Sequence, residues 1–236
     1  SKSEMSSVVQ KLDNVIASLD VKINDEKDDI TVDVSEHVPQ NASDYDLTKP
    51  YQIITFKNDK GGPEKLRIKN ITLPETLNEN DVLISVKACG INFIDTYHRS
   101  GLYPNVDNIG KEGSGIIIKI GKNVTKYKVN DQVLWHGIQG SYATHVISNE
   151  NNKYLMNIPD IFKNNDNIYT ISASLPIQGL TAHYLCRSTY EVKKDDFVLI
   201  HAGAGGTGGI LVQICKKILK AKVITTVGSN EKLKIA

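Results

Sequence analysis

Gly203, Gly205 and Gly208 fall in the run His201-Ala202-Gly203-Ala204-Gly205-Gly206-Thr207-Gly208-Gly209, a G-x-G-x-x-G spacing. Glycines so spaced act through the side chains they lack. The first permits a tight turn, the second lets backbone approach a pyrophosphate, and the third lets a helix pack close to a strand. The apolar run Phe197–Ile200 precedes the loop, a helical stretch Ile210–Leu219 follows it, and a second apolar run, Val223–Val227, comes next. Strand, loop, helix, strand is one βαβ unit, and a helix starting on the loop offers free N–H groups and a positive dipole end to phosphate. Gly203, Gly205, Gly206, Thr207 and Gly208 are therefore candidates for holding a dinucleotide; a glycine-rich turn that merely packs is the alternative.

The end of the second strand selects between dinucleotides. A carboxylate about 20 residues past the loop would hold the two ribose hydroxyls of an unphosphorylated adenosine. This chain has Val227-Gly228-Ser229-Asn230-Glu231-Lys232 there, with no acid at the strand terminus. Gly228 leaves room, Ser229 and Asn230 can donate hydrogen bonds, and Lys232 can pair with a 2′-phosphate. Glu231, and the option of Lys232 as a solvated first-turn lysine, weigh on the other side. A second group, Asn92, Tyr97 and Tyr103, supplies an amide and two phenols able to hydrogen-bond an oxygen as negative charge develops on it. Tyr97 and Tyr103 could instead be half-buried aromatics, and Asp95 could serve only to cap a short helix, Phe93–Ser100.

These residues need a scaffold. From Tyr51 to about Ser148 the chain reads as short β runs broken by turn residues: Tyr51–Phe56, Lys65–Ile71, Asp81–Ala88, Gly115–Ile120, Gln132–Trp135 and Tyr142–Ile147. That pattern predicts a small β-barrel. Residues 149–167 hold seven asparagines in nineteen positions, without helical or strand period, and read as a surface loop. A helical stretch over Ile171–Thr189 then leads into the βαβ unit. Ahead of all this, Val9, Leu12, Ile16, Leu19 and Ile23 are spaced 3, 4, 3, 4, a short amphipathic seam within an arm that is helical or partly disordered.

The fifteen residues from Gly90 to Pro104 closely match the signature of bacterial-type quinone oxidoreductases. Further matching blocks are Gly61–Glu64, Gly110–Gly115, Gly179–Ala182, Thr189–Glu191 and the glycine loop. The chain thus resembles the zinc-free, zeta-crystallin-like NADPH:quinone oxidoreductases of the medium-chain dehydrogenase/reductase superfamily over residues 51–236. The resemblance implies an α/β protein with a GroES-like β-barrel catalytic domain (49–170), a Rossmann-type nucleotide-binding domain (171–236), cut short at Ala236, and an acidic extension (1–48). It implies that Phe93, Ile94, Asp95, Thr96 and Tyr97 border the nicotinamide end of NADPH, with Thr181 and Tyr184 touching it from the other domain. Gly206 and Thr207 would hold the pyrophosphate and Gly228, Ser229 and Lys232 the adenosine phosphate. The partner it implies is a quinone or other small electrophilic acceptor, in a homodimer.

Zinc dehydrogenases of that superfamily carry a cysteine ligand where this chain has Asn92 and a histidine where it has Lys111. Three scattered cysteines also cannot form a four-cysteine zinc lobe. The expectation is no metal, and an acceptor that takes hydride readily without a Lewis acid. An enone or 2-alkenal reductase of the same fold is the alternative enzyme. RNA binding, associated with zeta-crystallin relatives, finds support only in charge, with no arginine-aromatic stripe to go with it.

The bulk composition agrees. With 236 residues and 40% apolar content the chain can bury real cores, and no run approaches the ~20 apolar residues of a membrane span. The net charge of +1 conceals a tail, residues 1–48, with eleven acids against four lysines, which leaves about +8 on the remainder. Cys89, Cys186 and Cys215 are odd in number, far apart and outside any C-x-x-C, which suits buried small hydrophobes in a reducing compartment. The localisation expected is cytoplasmic, a chain starting at Ser1 leaving room for an upstream leader. Sequence after Ala236 would be needed to cover the parallel strands, so 1–236 alone is expected to be aggregation-prone.

Overall fold

In the computed structural model, Ser43 and residues 46–48, 50–56, 60–103, 106 and 108–236 are described. The seam from Val9 to Ile23 lies outside them. Two compact units divide between Pro176 and Ile177. That boundary is later than 170 because the helix Ile168–Ser174 (here α2) lies against the sheet of the first unit, with Ser114 Oγ donating to Tyr169 O at 2.6 Å.

The first unit is antiparallel throughout. β1 (Tyr51–Thr55) and β2 (Arg67–Ile71) form a hairpin. β3 (Asp81–Cys89), β4 (Glu112–Ile120), β5 (Gln132–His136), β6 (His145–Asn149) and β7 (Leu155–Asn157) form a five-stranded sheet in the order β6-β3-β4-β5-β7. The hairpin meets it through the bridges Ile53–Ala143 and Thr55–Asn108. Alternation along the strands decides the packing. Val82, Ile84, Ile117, Val133, Trp135, Val146 and Leu155 gather on one face, while Leu83, Ile116 and Ile118 pack on the other with Leu73, Leu77 and Tyr169. Trp135 is buried whole because its indole N–H finds Ser141 Oγ at 2.8 Å. Register shifts between Leu83 and Ile84 and between Val86 and Ala88 bend β3 along β4.

β7 lies in the asparagine-rich stretch read as a loop. Its asparagines are turn formers: Asn149 Oδ1 accepts the Asn151 N–H and Asn152 Oδ1 the Tyr154 N–H, at 3.0 and 3.1 Å. Side chains that imitate backbone turns give a compact segment that periodicity cannot detect. The structure also corrects the single helix over Ile171–Thr189. α2 ends at Ser174, and α3 (Pro176–His183) begins on proline, which tolerates a helix start but not an interior.

In the second unit α3 runs on through a π-helical turn, Tyr184–Thr189. Next come β8 (Phe197–Ile200), α4 (Gly206–Gln213) with its own π turn Ile214–Ile218, and β9 (Lys222–Thr225). β8 and β9 pair in parallel, Ile200 opposite Thr225. Ala182, Cys186, Val192, Ile200, Ile214, Cys215, Leu219 and Ala221 form the core between helices and strands. The opposite strand face leaves Phe197, Leu199 and Ile224 exposed. Among the described residues no helix is long and apolar enough to cross a membrane.

Candidate functional site

β3 delivers the chain to Gly90, where any Cβ would overlap the Glu112 carboxylate and the Ala173 carbonyl, and turns it into α1 (Phe93–Ser100). Asn92 is the N-cap residue. Its N–H donates to Asp95 Oδ2 at 3.0 Å, the acidic half of a capping box. Asp95 is buried and holds more than the cap: Oδ1 accepts the Gly110 N–H at 3.1 Å and Oδ2 accepts the Tyr142 hydroxyl at 2.8 Å. One carboxylate thus ties the start of α1 to two loops. Burial, and then the bond to Asp95, push the Tyr142 phenol well above its usual range, so it stays a donor.

Asn92 Nδ2 donates to Glu112 Oε1 at 2.6 Å, and Glu112 is 0% exposed. The amide expected to orient an acceptor is thereby engaged on its nitrogen side by a buried carboxylate. Asp95, expected along the nicotinamide, is an internal brace, as its capping alternative had it. Glu112 and Tyr142 were not among the candidates. Glu112 opens β4 and its burial is set by partners distant in sequence, and nothing in the spacing marked Tyr142.

Other members of the group face outward. Phe93 is 82% exposed, Tyr97 37% and Tyr103 46%. α1 ends at Gly101 in the left-handed region, φ 85°, which returns the chain so that the Tyr103 N–H meets Tyr97 O at 3.1 Å. The two phenol rings stack edge-on, 5.5 Å apart at 68°. Behind them His98 is buried, both ring nitrogens without a hydrogen-bond partner, 5.9 Å from the Tyr103 ring. Burial first, and Lys111 second, lower its pKa. Thr96 Oγ1 returns to Phe93 O at 2.7 Å, and Ile94 is partly buried. An apolar cavity of about 420 Å³ opens in the same unit, its wall including Ile68, Cys89, Ile91 and Tyr142.

In the second unit the glycine loop closes β8 onto α4. The left-handed residue of the turn is Ala202, φ 56°, and not Gly203. Gly203 is required instead by contact, since a Cβ there would overlap the Thr225 side chain of β9. Gly208 is where the helix passes the Ala202 carbonyl too closely for any side chain, as its place in the motif predicts. Gly205 caps α4 without a side chain, and the first helical bond is Gly209 N–H to Gly205 O at 2.7 Å. The N–H groups of Gly206, Thr207 and Gly208 precede that bond and point out of the helix end. Gly206 lies against Gln178 of α3, the helix that carries Thr181, whose hydroxyl donates to Ile177 O at 2.6 Å. Tyr184, in the π turn, is exposed. Past β9, Gly228 has open space around it, and Ser229 and Lys232 are exposed beside it. Among the described residues no group of three or more His, Cys, Asp and Glu is placed to hold a metal ion.

A βαβ unit with its phosphate-type loop, next in sequence to an antiparallel β unit, defines a two-part dehydrogenase architecture. Residues 78–194 match the alcohol dehydrogenase GroES-like domain. The quinone oxidoreductase of Pseudomonas aeruginosa is 38% identical over 181 residues, covering 75% of this chain and 53% of that protein. Quinone oxidoreductase 1 of Escherichia coli is 40% identical over 181 residues, covering 75% and 52%. The crystal structure of Escherichia coli quinone oxidoreductase complexed with NADPH superposes with a TM-score of 0.69 at 37% identity, covering 78% of this chain and 54% of that one. Over the matched residues the chain is similar to the quinone oxidoreductases of the medium-chain dehydrogenase/reductase superfamily. It spans about half the length of the relatives it matches.

Proposed function

We propose that the protein to which this chain belongs is an NADPH-dependent quinone reductase that works without a metal. The observation that carries the reading is the end of α4: a helix start, whose first N–H groups have no acceptor within the helix, at a place where Gly208 and Gly203 admit no side chain, with a β9 end without an acid. That end fits a pyrophosphate. Gly203, Gly205, Gly206, Thr207 and Gly208 are its proposed contacts, and Gly228, Ser229 and Lys232 those of the adenosine 2′-phosphate. Phe93, Ile94, Thr96 and Tyr97 of the first unit, and Thr181 and Tyr184 of the second, are proposed for the remainder of the cofactor. NADPH supplies the hydride.

The chain's own groups orient and stabilise. Tyr97 and Tyr103, exposed and held edge to edge, present two phenol donors to a quinone oxygen as it gains charge. Asn92 is proposed as a member of that group whose amide Glu112 fixes in place. The electrophilic acceptor, the homodimer and a cytoplasmic setting belong to the same proposal, supported by the quinone oxidoreductases that the chain resembles. Fluorescence titration of the whole protein tests the cofactor. NADPH should bind about tenfold more tightly than NADH, a difference of ~1.4 kcal/mol, and Lys232→Glu should reverse the order. Equal affinities would remove the phosphate site.

A further inference from the structure

The glycine loop is held from the strand beside it. Thr225, the last residue of β9, donates its hydroxyl to Ile200 O at 2.7 Å, and the Thr226 N–H reaches the same carbonyl at 3.1 Å. Thr226 O accepts the Gly203 N–H at 3.0 Å, and the Thr226 hydroxyl is hydrogen-bonded to His201 Nδ1, 3.0 Å away. These bonds, all from two adjacent threonines, fix the chain on both sides of Ala202. That residue needs fixing, because at φ 56° it holds a left-handed conformation that is costly for any residue with a Cβ. Such a conformation persists only where its surroundings over-determine it. The Ala202 carbonyl accepts the Gly205 N–H at 2.9 Å and is the surface that Gly208 packs against. The direction of one carbonyl thus sets where α4 begins and where its first N–H groups point. Valine would suit the end of a strand as well as threonine does, so the two hydroxyls, and not strand formation, are what this place in the loop uses.

We propose that Thr225 and Thr226, with His201 as the side-chain partner of the second, are positioning residues for the pyrophosphate of the dinucleotide. They act through the loop and touch no cofactor themselves. Their hydroxyls keep Ala202 left-handed, and Ala202 aims the start of α4 at the phosphates. The group they serve is common to NADPH and NADH, whereas Gly228, Ser229 and Lys232 serve the 2′-phosphate alone. Substitution of the threonines should therefore weaken both dinucleotides by one factor and leave the preference between them unchanged. The end of β9 then has two separable duties: its last residues shape the phosphate loop, and the chain beyond it carries the 2′-phosphate contacts. The inference rests on the cofactor reading above. Failure of that reading would show in the unsubstituted protein, as no binding of either dinucleotide, while failure of the positioning role shows only in the variants.

The test titrates the whole protein with NADPH, NADH and 2′-AMP, the last a probe that carries the 2′-phosphate but no pyrophosphate. Thr225→Val and Thr226→Val keep the shape of the side chain and remove its hydroxyl. Each should weaken NADPH and NADH alike, on the order of fivefold, with 2′-AMP changed by less than about twofold. Thr225→Ser and Thr226→Ser restore a hydroxyl and should restore the affinity. His201→Ala should match Thr226→Val, and the two together should lose no more than either alone, since they break the same bond. Should a valine variant fold poorly, His201→Ala against His201→Asn, which keeps a hydrogen-bonding group near the place of Nδ1, decides for that bond. The idea is overturned if the valine variants bind both dinucleotides as the unsubstituted protein does, if 2′-AMP weakens by the same factor as the dinucleotides, or if the losses of His201→Ala and Thr226→Val add.

Discussion

Asn92 and Tyr97 belong to one short helix but have different partners, and substitution should separate them. Asn92→Ala removes the amide that Glu112 accepts, leaving a buried carboxylate short of a donor, a loss of about 1–3 kcal/mol. Tyr97→Phe removes only an outward hydroxyl. We expect Tyr97→Phe to lower kcat on the order of tenfold with an unchanged melting temperature, and Asn92→Ala to lower both. Turnover assays beside thermal melts decide; a melting temperature unmoved by Asn92→Ala would mean that the Glu112 bond is idle. His98 gives a pH test. Its folded pKa lies below the usual 6.5, so the unfolded chain binds the proton more readily. The stability this burial requires is fully present above 6.5 and is lost as pH falls through the folded value. His98→Leu should flatten that part of the acid limb in urea melts at stepped pH, and an unchanged limb would assign it elsewhere. The candidates at Gly203–Gly208, Tyr97 and Tyr103 were legible because their spacing is local. The Glu112 and Tyr142 partnerships join residues far apart in sequence and needed coordinates.

α1 and β8 lie where the sequence placed them, at Phe93–Ser100 and Phe197–Ile200, since both are bounded by strong local signals: a capping pair and Gly101 for the helix, a charged stretch and a glycine loop for the strand. Helix lengths were less legible. The π turns after α3 and α4 keep helical periodicity in sequence while changing the hydrogen-bond ladder, and Pro176 inside an apolar run can start a helix as well as break one. The glycine loop was right in position but not in every role, since Ala202 takes the left-handed turn and Gly203 serves contact. This makes Gly208 the test of the loop. Gly208→Ala would press a methyl on the Ala202 carbonyl and force the helix end away, and we expect about a tenfold loss of NADPH affinity by fluorescence titration. Gly206→Ala meets only the end of the Gln178 side chain, which can swing aside, and should lose less. The reverse order would place the phosphate elsewhere.

For the molecule as a whole, the exposed Phe197, Leu199 and Ile224 leave one face of the parallel pair apolar. Such a face favours association, so a preparation of residues 1–236 should self-associate in light scattering, and Leu199→Lys with Ile224→Lys should reduce the effect. Scattering independent of those changes would clear the face of blame. The architecture itself was legible from sequence, since alternating β runs followed by a βαβ pattern leave few alternatives. The central claim is a reaction, and one assay tests it most directly: NADPH oxidation by the whole protein, followed at saturating cofactor across a panel of quinones, enones and 2-alkenals, with and without a chelator. The account predicts oxidation with several quinones, hydroquinone formed in step, weaker rates with enones and no effect of chelation. NADPH consumed with enones or alkenals but with no quinone, or a rate abolished by the chelator, would contradict it.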